Sequence, residues 1–283
     1  MGRSAPDGPG TGAALACWKG GGPAEGGPAM KLHEPVTGGP CWAELGTDDL
    51  AVAERFYSGL FGWRPETDPR QRAGGHTIAR LGGDAVAGLT PLSRAGQPVA
   101  WDVVFAVRDA DTAVRQVTAA GGTVPEGPTD VPGQGRFVVV VDPTGALFQL
   151  WQPGSFAGAG LFNAHGSLGW VELLTREPDL AADFYTTVFG WSLTASEYYP
   201  QWGIGGADFG GMVTMDDKFP HEVPAHWLPY FAVTDVDMAA AGTTDGGGTV
   251  LMEPVSPPDG PRIAVLRDPR GAMFGVYRAG DER

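Results

Sequence analysis

Side chains alternate between two faces over residues 40–47, the period of a strand with one buried side. Thr47-Asp48-Asp49 then offers a helix N-cap and an acidic first turn. Leu50, Ala53, Phe56, Tyr57 and Leu60 fall on one helical face, and Gly62 supplies the stop. Strands are predicted at 75–81 and 84–91 around the turn Gly82-Gly83-Asp84, and a further strand at 100–107. A helix over 109–120 closes at Gly121-Gly122. Strands near 123–126, 136–141 and 146–152 follow, the last two joined by an Asp142-Pro143-Thr144-Gly145 turn. The unit is therefore βαβββ performed twice.

The same pattern then recurs. Residues 42–63 and 170–191 share Trp, Glu, Leu, Thr, Phe-Tyr and Phe-Gly-Trp in register at an offset of 128. At an offset of 126, Phe105-Ala106-Val107 matches Phe231-Ala232-Val233, Arg136 matches Arg262, and Asp142-Pro143 matches Asp268-Pro269. Such a period is too long for a solenoid and signals a duplicated domain. Residues 1–35 read as a disordered extension, with Met30 as an alternative start. Residues 36–153 form the first domain, 154–167 a linker and 168–283 the second domain.

Composition narrows the partners. The 283 residues include 45 glycines and 25 prolines, which suits many tight turns between short strands. Thirty-three acidic against 19 basic residues give a formal charge of −14, which disfavours nucleic acid and anionic lipid headgroups. No apolar run approaches the ~20 residues of a membrane span. Cys17 and Cys41 cannot build a four-cysteine zinc site, and the N-terminal apolar stretch is too short for a secretory signal. A cytoplasmic protein is expected, monomeric or homodimeric, whose partner is a small molecule.

A βαβββ unit with Phe-Tyr and Phe-Gly-Trp around its helix end and Asp-Pro-x-Gly before its last strand resembles the vicinal-oxygen-chelate superfamily. This is the glyoxalase/bleomycin-resistance/dioxygenase group, and the doubled form is similar to two-domain glyoxalase-like proteins of actinobacteria. The resemblance spans residues 36–280. It implies an α+β fold of two tandem domains, each a pair of modules forming a cup-shaped sheet with helices outside. In metal-using relatives the cup holds a divalent ion on His, Gln or Glu. Carried over, those positions are Trp42, Gly88, Asp102 and Gln149 in the first domain, and Trp170, Gly211, Leu228 and Gly275 in the second. The second set has no usable donor and the first only two, so no metal and no other cofactor is expected. His33, His76, His165, His221 and His226 miss these positions and read as loop or surface residues. A one-residue slip of the strand would instead turn Trp101 or Trp227 inward.

Aromatic side chains take the place of ligands. Alternation puts Trp42 with Glu44, Trp170 with Glu172, and Leu147, Gln149 and Trp151 on one face; Met273, Gly275 and Tyr277 form the matching set. Leu228 and Tyr230 share a face, and Phe209, Met212 and the Tyr198-Tyr199 pair are placed to close over the opening. Trp63, Trp191, Tyr57 and Tyr185 read as core. Trp42 and Trp170 either floor a ligand cup, plug an unused one or pack across the domain interface. Glu44 and Glu172 either meet a ligand amine or salt-bridge the domains. Two functional readings follow. One is sequestration of a planar, aromatic, cationic natural product such as an anthracycline-type antibiotic, in self-resistance or as a biosynthetic accessory. The other is a metal-free lyase-, isomerase- or cyclase-type enzyme with Asp102 or Glu44 as base. A metal-dependent glyoxalase-type enzyme stands behind both.

Overall fold

The computed structural model describes residues 29–67, 75–94, 96–194, 199–257 and 260–278. The segment 1–28, with Cys17, and Tyr198 lie outside these. A short strand β1 (Met30–Lys31) leads into β2 (Pro40–Thr47), α1 (Leu50–Phe61), β3 (Arg64–Thr67), β4 (Thr77–Leu81) and β5 (Asp84–Pro91). The second module is β6 (Ala100–Ala106), α2 (Ala110–Ala119), β7 (Thr123–Val131), β8 (Gly135–Val141) and β9 (Leu147–Pro153). After β10 (Leu161–Phe162), the third module is β11 (Leu168–Thr175), α3 (Pro178–Phe189), β12 (Ser192–Thr194), β13 (Gln201–Ile204) and β14 (Ala207–Thr214). The last holds β15 (His226–Val233), α4 (Val236–Asp245), β16 (Thr249–Val255), β17 (Ile263–Arg267) and β18 (Met273–Arg278).

Each domain is one eight-stranded sheet, ordered β3-β4-β5-β2-β6-β9-β8-β7 and β12-β13-β14-β11-β15-β18-β17-β16. Two modules meet at a central antiparallel pair, β2 with β6 and β11 with β15. The fold is thus the α+β tandem cup architecture that the repeat implies. β3 and β12 are short strands without apolar alternation. β1 pairs with β10, so part of the expected extension and part of the expected linker form a two-stranded sheet.

Local chemistry sets the helix ends. The Asp49 carboxylate accepts from the Val52 amide at 3.0 Å, and Gly62 ends α1 at φ 72°, a left-handed conformation that a Cβ would penalise. The inner helical face does more than fill a core, because it also holds the domains together. The Tyr57 hydroxyl donates to Asp268 in the opposite domain at 3.1 Å, and the Tyr185 hydroxyl donates to Asp142 at 2.9 Å. The Trp101 and Trp227 indoles donate to those two hydroxyls, and the Trp63 and Trp191 indoles reach Gly166 and Gly38 carbonyls. Phe-Tyr, Phe-Gly-Trp and Asp-Pro-x-Gly are therefore joined between the copies, with pseudo-twofold symmetry. Among the described residues, no helix is long and apolar enough to cross a membrane.

Candidate functional site: two unequal cups

Register fixes the floor of the first cup. Glu44 on β2 lies opposite Asp102 on β6 and beside Gly88 on β5, while Val104 lies beside Gln149 on β9. A Cβ at position 88 would come within 1.8 Å of the Glu44 carboxylate, so glycine there lets the carboxylate lie across the neighbouring strand. The Trp42 indole donates to Glu44 Oε2 at 2.8 Å, and His76 Nε2 lies 3.1 Å from Oε1. The Gln149 amide donates to Asp102 Oδ2 at 2.8 Å. Burial, with a smaller push from Glu44, raises the Asp102 carboxyl to about 6 against that hydrogen bond. Above this floor opens a cavity of about 630 Å³, walled by Trp42, Trp151, Phe137 and Phe156 and rimmed by Arg94 and Glu126. Phe156, from the connection between domains, packs edge-on to Trp42 at 5.1 Å.

The second cup keeps the tryptophan and the carboxylate but fills the space. Tyr199 lies over Gly211, and Tyr230 lies over Gly275; a Cβ at either glycine would strike the ring within 2.2 Å. The Tyr199 hydroxyl accepts from the Trp170 indole at 2.9 Å and donates to Glu172 Oε1 at 2.8 Å. Tyr230 donates to Glu172 Oε2 at 3.1 Å. Burial outweighs these two bonds and raises the Glu172 carboxyl to about 7. What remains is a crevice of about 70 Å³ with mostly apolar walls, among them Leu228, Met252, Val265 and Met273. His226 also borders it, its titration lowered by burial.

Among the described residues, no three His, Cys, Asp or Glu side chains converge on a point that could hold a metal. In the first cup Glu44 accepts from Trp42 and lies beside His76, and Asp102 accepts from the Gln149 amide. In the second cup Glu172 has Leu228 opposite it and Gly211 beside it.

Trp42, Glu44, Asp102, Gln149 and Trp151 come together around the first cavity. Glu172, Leu228 and Tyr230 border the second crevice, where Trp170 is part of the filling rather than a floor. Tyr277 points its hydroxyl at Asn163, 2.7 Å away, and is fully buried beneath the connection. Phe209 and Met212 do not close the opening. The pairing of β13 with β14 shifts between Trp202 and Gly203, a bulge that turns Phe209 onto Trp191 at 4.9 Å. Met212 is paired with Leu173 and buried on the back of the sheet. Among the described residues, the partners of Glu44 are Trp42 and His76 and those of Glu172 are Tyr199 and Tyr230, each within its own domain rather than across the two. Trp101 and Trp227 face the domain interface.

His76 is a loop residue, as expected, but it lines the first cup, a placement that the spacing hides. Ile78 pairs with Gly88, and Gln201 pairs with Gly211, which makes His76 the counterpart of Tyr199. The offset between copies drops from 128 at Trp63/Trp191 to 123 at Gly88/Gly211, so a loop-length difference masks this equivalence.

Known proteins place this architecture. CFP32 of Mycobacterium tuberculosis (strain CDC 1551 / Oshkosh) is 40% identical over 257 residues, covering 88% of this chain and 97% of its own. The anthracycline biosynthesis protein DnrV of Streptomyces peucetius is 38% identical over 257 residues, covering 84% and 92%. The Mn(II)-bound glyoxalase from Novosphingobium aromaticivorans superposes with a TM-score of 0.63 at 16% identity, over 87% of this chain and 83% of that one. The 2,3-dioxygenase LapB from Pseudomonas sp. KL28 gives 0.62 at 16% identity, over 87% and 93%. At that identity the likeness is one of fold. The glyoxalase/bleomycin resistance protein/dioxygenase family model matches residues 40–150 and 167–276, one match for each sheet, and the chain belongs to that superfamily.

Proposed function

We propose that the chain binds a planar, hydrophobic, cationic aromatic natural product of the anthracycline type in its first cup, without a metal. It would do so in self-resistance or as a biosynthetic accessory. The observation that carries this reading is the cavity of about 630 Å³ with aromatic walls above two carboxylates. Its size falls within the ~300–1,000 Å³ of small-molecule sites. Trp42, Trp151, Phe137 and Phe156 give a flat ring system area and orientation together. The formal charge of −14 adds a field that draws a cation in. The relative DnrV, named for anthracycline biosynthesis, supports the ligand class. Titration of the chain with daunorubicin, an amine-bearing anthracycline, should quench tryptophan fluorescence at micromolar concentration. No quenching, or quenching unchanged in Trp42→Ala, would remove the basis of the proposal.

A second reading rests on Asp102, buried beside Gln149 and raised to about 6, where a carboxylate can serve as general base near neutral pH. Glu44 is the other carboxylate available for that role. On this reading the cup carries a lyase-, isomerase- or cyclase-type reaction on the same class of ligand. Mass and NMR analysis of ligand recovered after incubation separates the two. Unchanged ligand supports binding; a new product that Asp102→Asn fails to make supports the enzyme.

A further inference from the structure

The second cup records what its carboxylate was shaped to receive. Glu172 accepts a phenolic hydroxyl on each oxygen, from Tyr199 at 2.8 Å and Tyr230 at 3.1 Å. Both rings sit where glycines at 211 and 275 leave room for an aromatic face. In the first cup the same carboxylate and the same indole persist as Glu44 and Trp42. The rings, however, are gone. His76 stands at the position of Tyr199, Val104 at that of Tyr230, and Gln149 at that of Gly275. Asp102 replaces Leu228 opposite the glutamate and adds a second acceptor. The Trp42 indole, which would otherwise reach a phenol, goes directly to Glu44.

We infer that the ligand of the first cup enters with a hydroxylated aromatic ring leading, its phenolic hydroxyls donated to Glu44 and Asp102. The tyrosines of the second cup are then an internal template for that ring. The inference rests on the reading of the first cup as an aromatic-ligand site and adds which end of the ligand meets the floor. A positively charged substituent stays toward the mouth, away from the floor; Glu126 there is already paired with Arg94 at 2.7 Å, so the substituent gains no free carboxylate. The chemistry favours this assignment because carboxylates accept and cannot donate, and a neutral phenol supplies the donor without a second buried charge.

Isothermal titration calorimetry of the full chain at pH 7.5 tests the inference, using 2,3-dihydroxynaphthalene, whose two hydroxyls lie on one ring, its dimethyl ether, naphthylmethylammonium and daunorubicin. The dihydroxy compound should bind in the first cup. The ether should bind about tenfold more weakly or worse, because each lost bond runs to a charged acceptor. Equal affinity for the ether, tighter binding of the ammonium compound, or no binding of the dihydroxy compound overturns the inference. Daunorubicin decides the broader reading separately: if it binds while the hydroxyl dependence is missing, the cup reading stands and the orientation falls. Val104→Tyr combined with Gln149→Gly rebuilds the second cup's plug in the first and should abolish binding of the dihydroxy compound. Unchanged affinity in a folded double variant would also overturn the inference; if that variant does not fold, the ligand series decides alone.

Discussion

In the first domain Glu44 looks into a cavity of about 630 Å³, whereas in the second its counterpart Glu172 lies sealed under two tyrosines beside a crevice of about 70 Å³. The sheets, helices and Trp-x-Glu strands are the same. A handful of positions makes the difference: His76 against Tyr199, Val104 against Tyr230, Gln149 against Gly275 and Asp102 against Leu228. Duplication therefore leaves the scaffold fixed while the cup contents diverge. The scaffold is fixed because both copies need it, each supplying the aspartate that receives the other's buried tyrosine. On the proposed reading, binding chemistry is left to the first cup and the second contributes stability.

The largest effect should come from Trp170→Ala. That indole is buried and held by Tyr199, so its loss leaves a cavity and should cost about 3–5 kcal/mol of unfolding free energy. Ligand affinity in the first cup should not change. Trp42→Ala should behave in the opposite way, since its ring already borders an open cavity. Its stability loss should be smaller, and affinity for an aromatic ligand should fall at least about tenfold through lost stacking. Denaturant unfolding and calorimetric titration of both variants check this. If the two substitutions give the same pair of effects, the division of labour between the cups is wrong.

Next in size is the pH dependence of stability set by Glu172. Its carboxyl rises from 4.5 to about 7 on folding, so the folded state binds the proton more tightly than the unfolded chain. That contribution is fully favourable below about pH 4.5 and is lost as pH rises through 7, amounting to about 3 kcal/mol. Glu172→Gln cannot ionise and still accepts through its amide oxygen, so its stability should lose this downward slope between pH 5 and 8. Unfolding curves across that range would show it. A slope identical in the variant would mean that the tyrosine hydroxyls hold Glu172 ionised throughout.

Much of this was legible in the residues, and what was not has a physical cause. Duplicated landmarks such as Phe-Tyr and Asp-Pro-x-Gly exposed the two domains because covalent order repeats with structure. Their role as the bolts between domains was hidden, since Tyr57 and Asp268 meet across 211 residues. Strand alternation puts Trp42 with Glu44 and Gln149 with Trp151, the family's ligand positions add Asp102, and all five line the first cavity. The expectation that Phe209 closes over the opening failed because a bulge in β14 turns its ring onto Trp191. Whether a cup is open or filled depends on pairing a glycine with a ring from another strand, as with Gly275 and Tyr230. A local pattern contains no such information.

The smallest effect concerns Asp102, which has no counterpart in the second cup because Leu228 stands there. Its carboxyl rises to about 6 on burial, so it changes charge within the range where binding can be measured. A ligand that donates a hydrogen bond to it, or pairs a cation with it, binds the ionised form. Affinity should therefore be full above pH 7 and fall about tenfold by pH 5, as protons compete for the carboxylate. Glu44, His76, Arg94 and Glu126 face the same cavity, so the profile of the intact chain alone cannot assign the step. Asp102→Asn can. The asparagine keeps an acceptor oxygen at the same place, and its affinity should start lower and stay flat across the step near 6. A step that survives in the variant would mean that another group sets it and make Asp102 a bystander in ligand recognition.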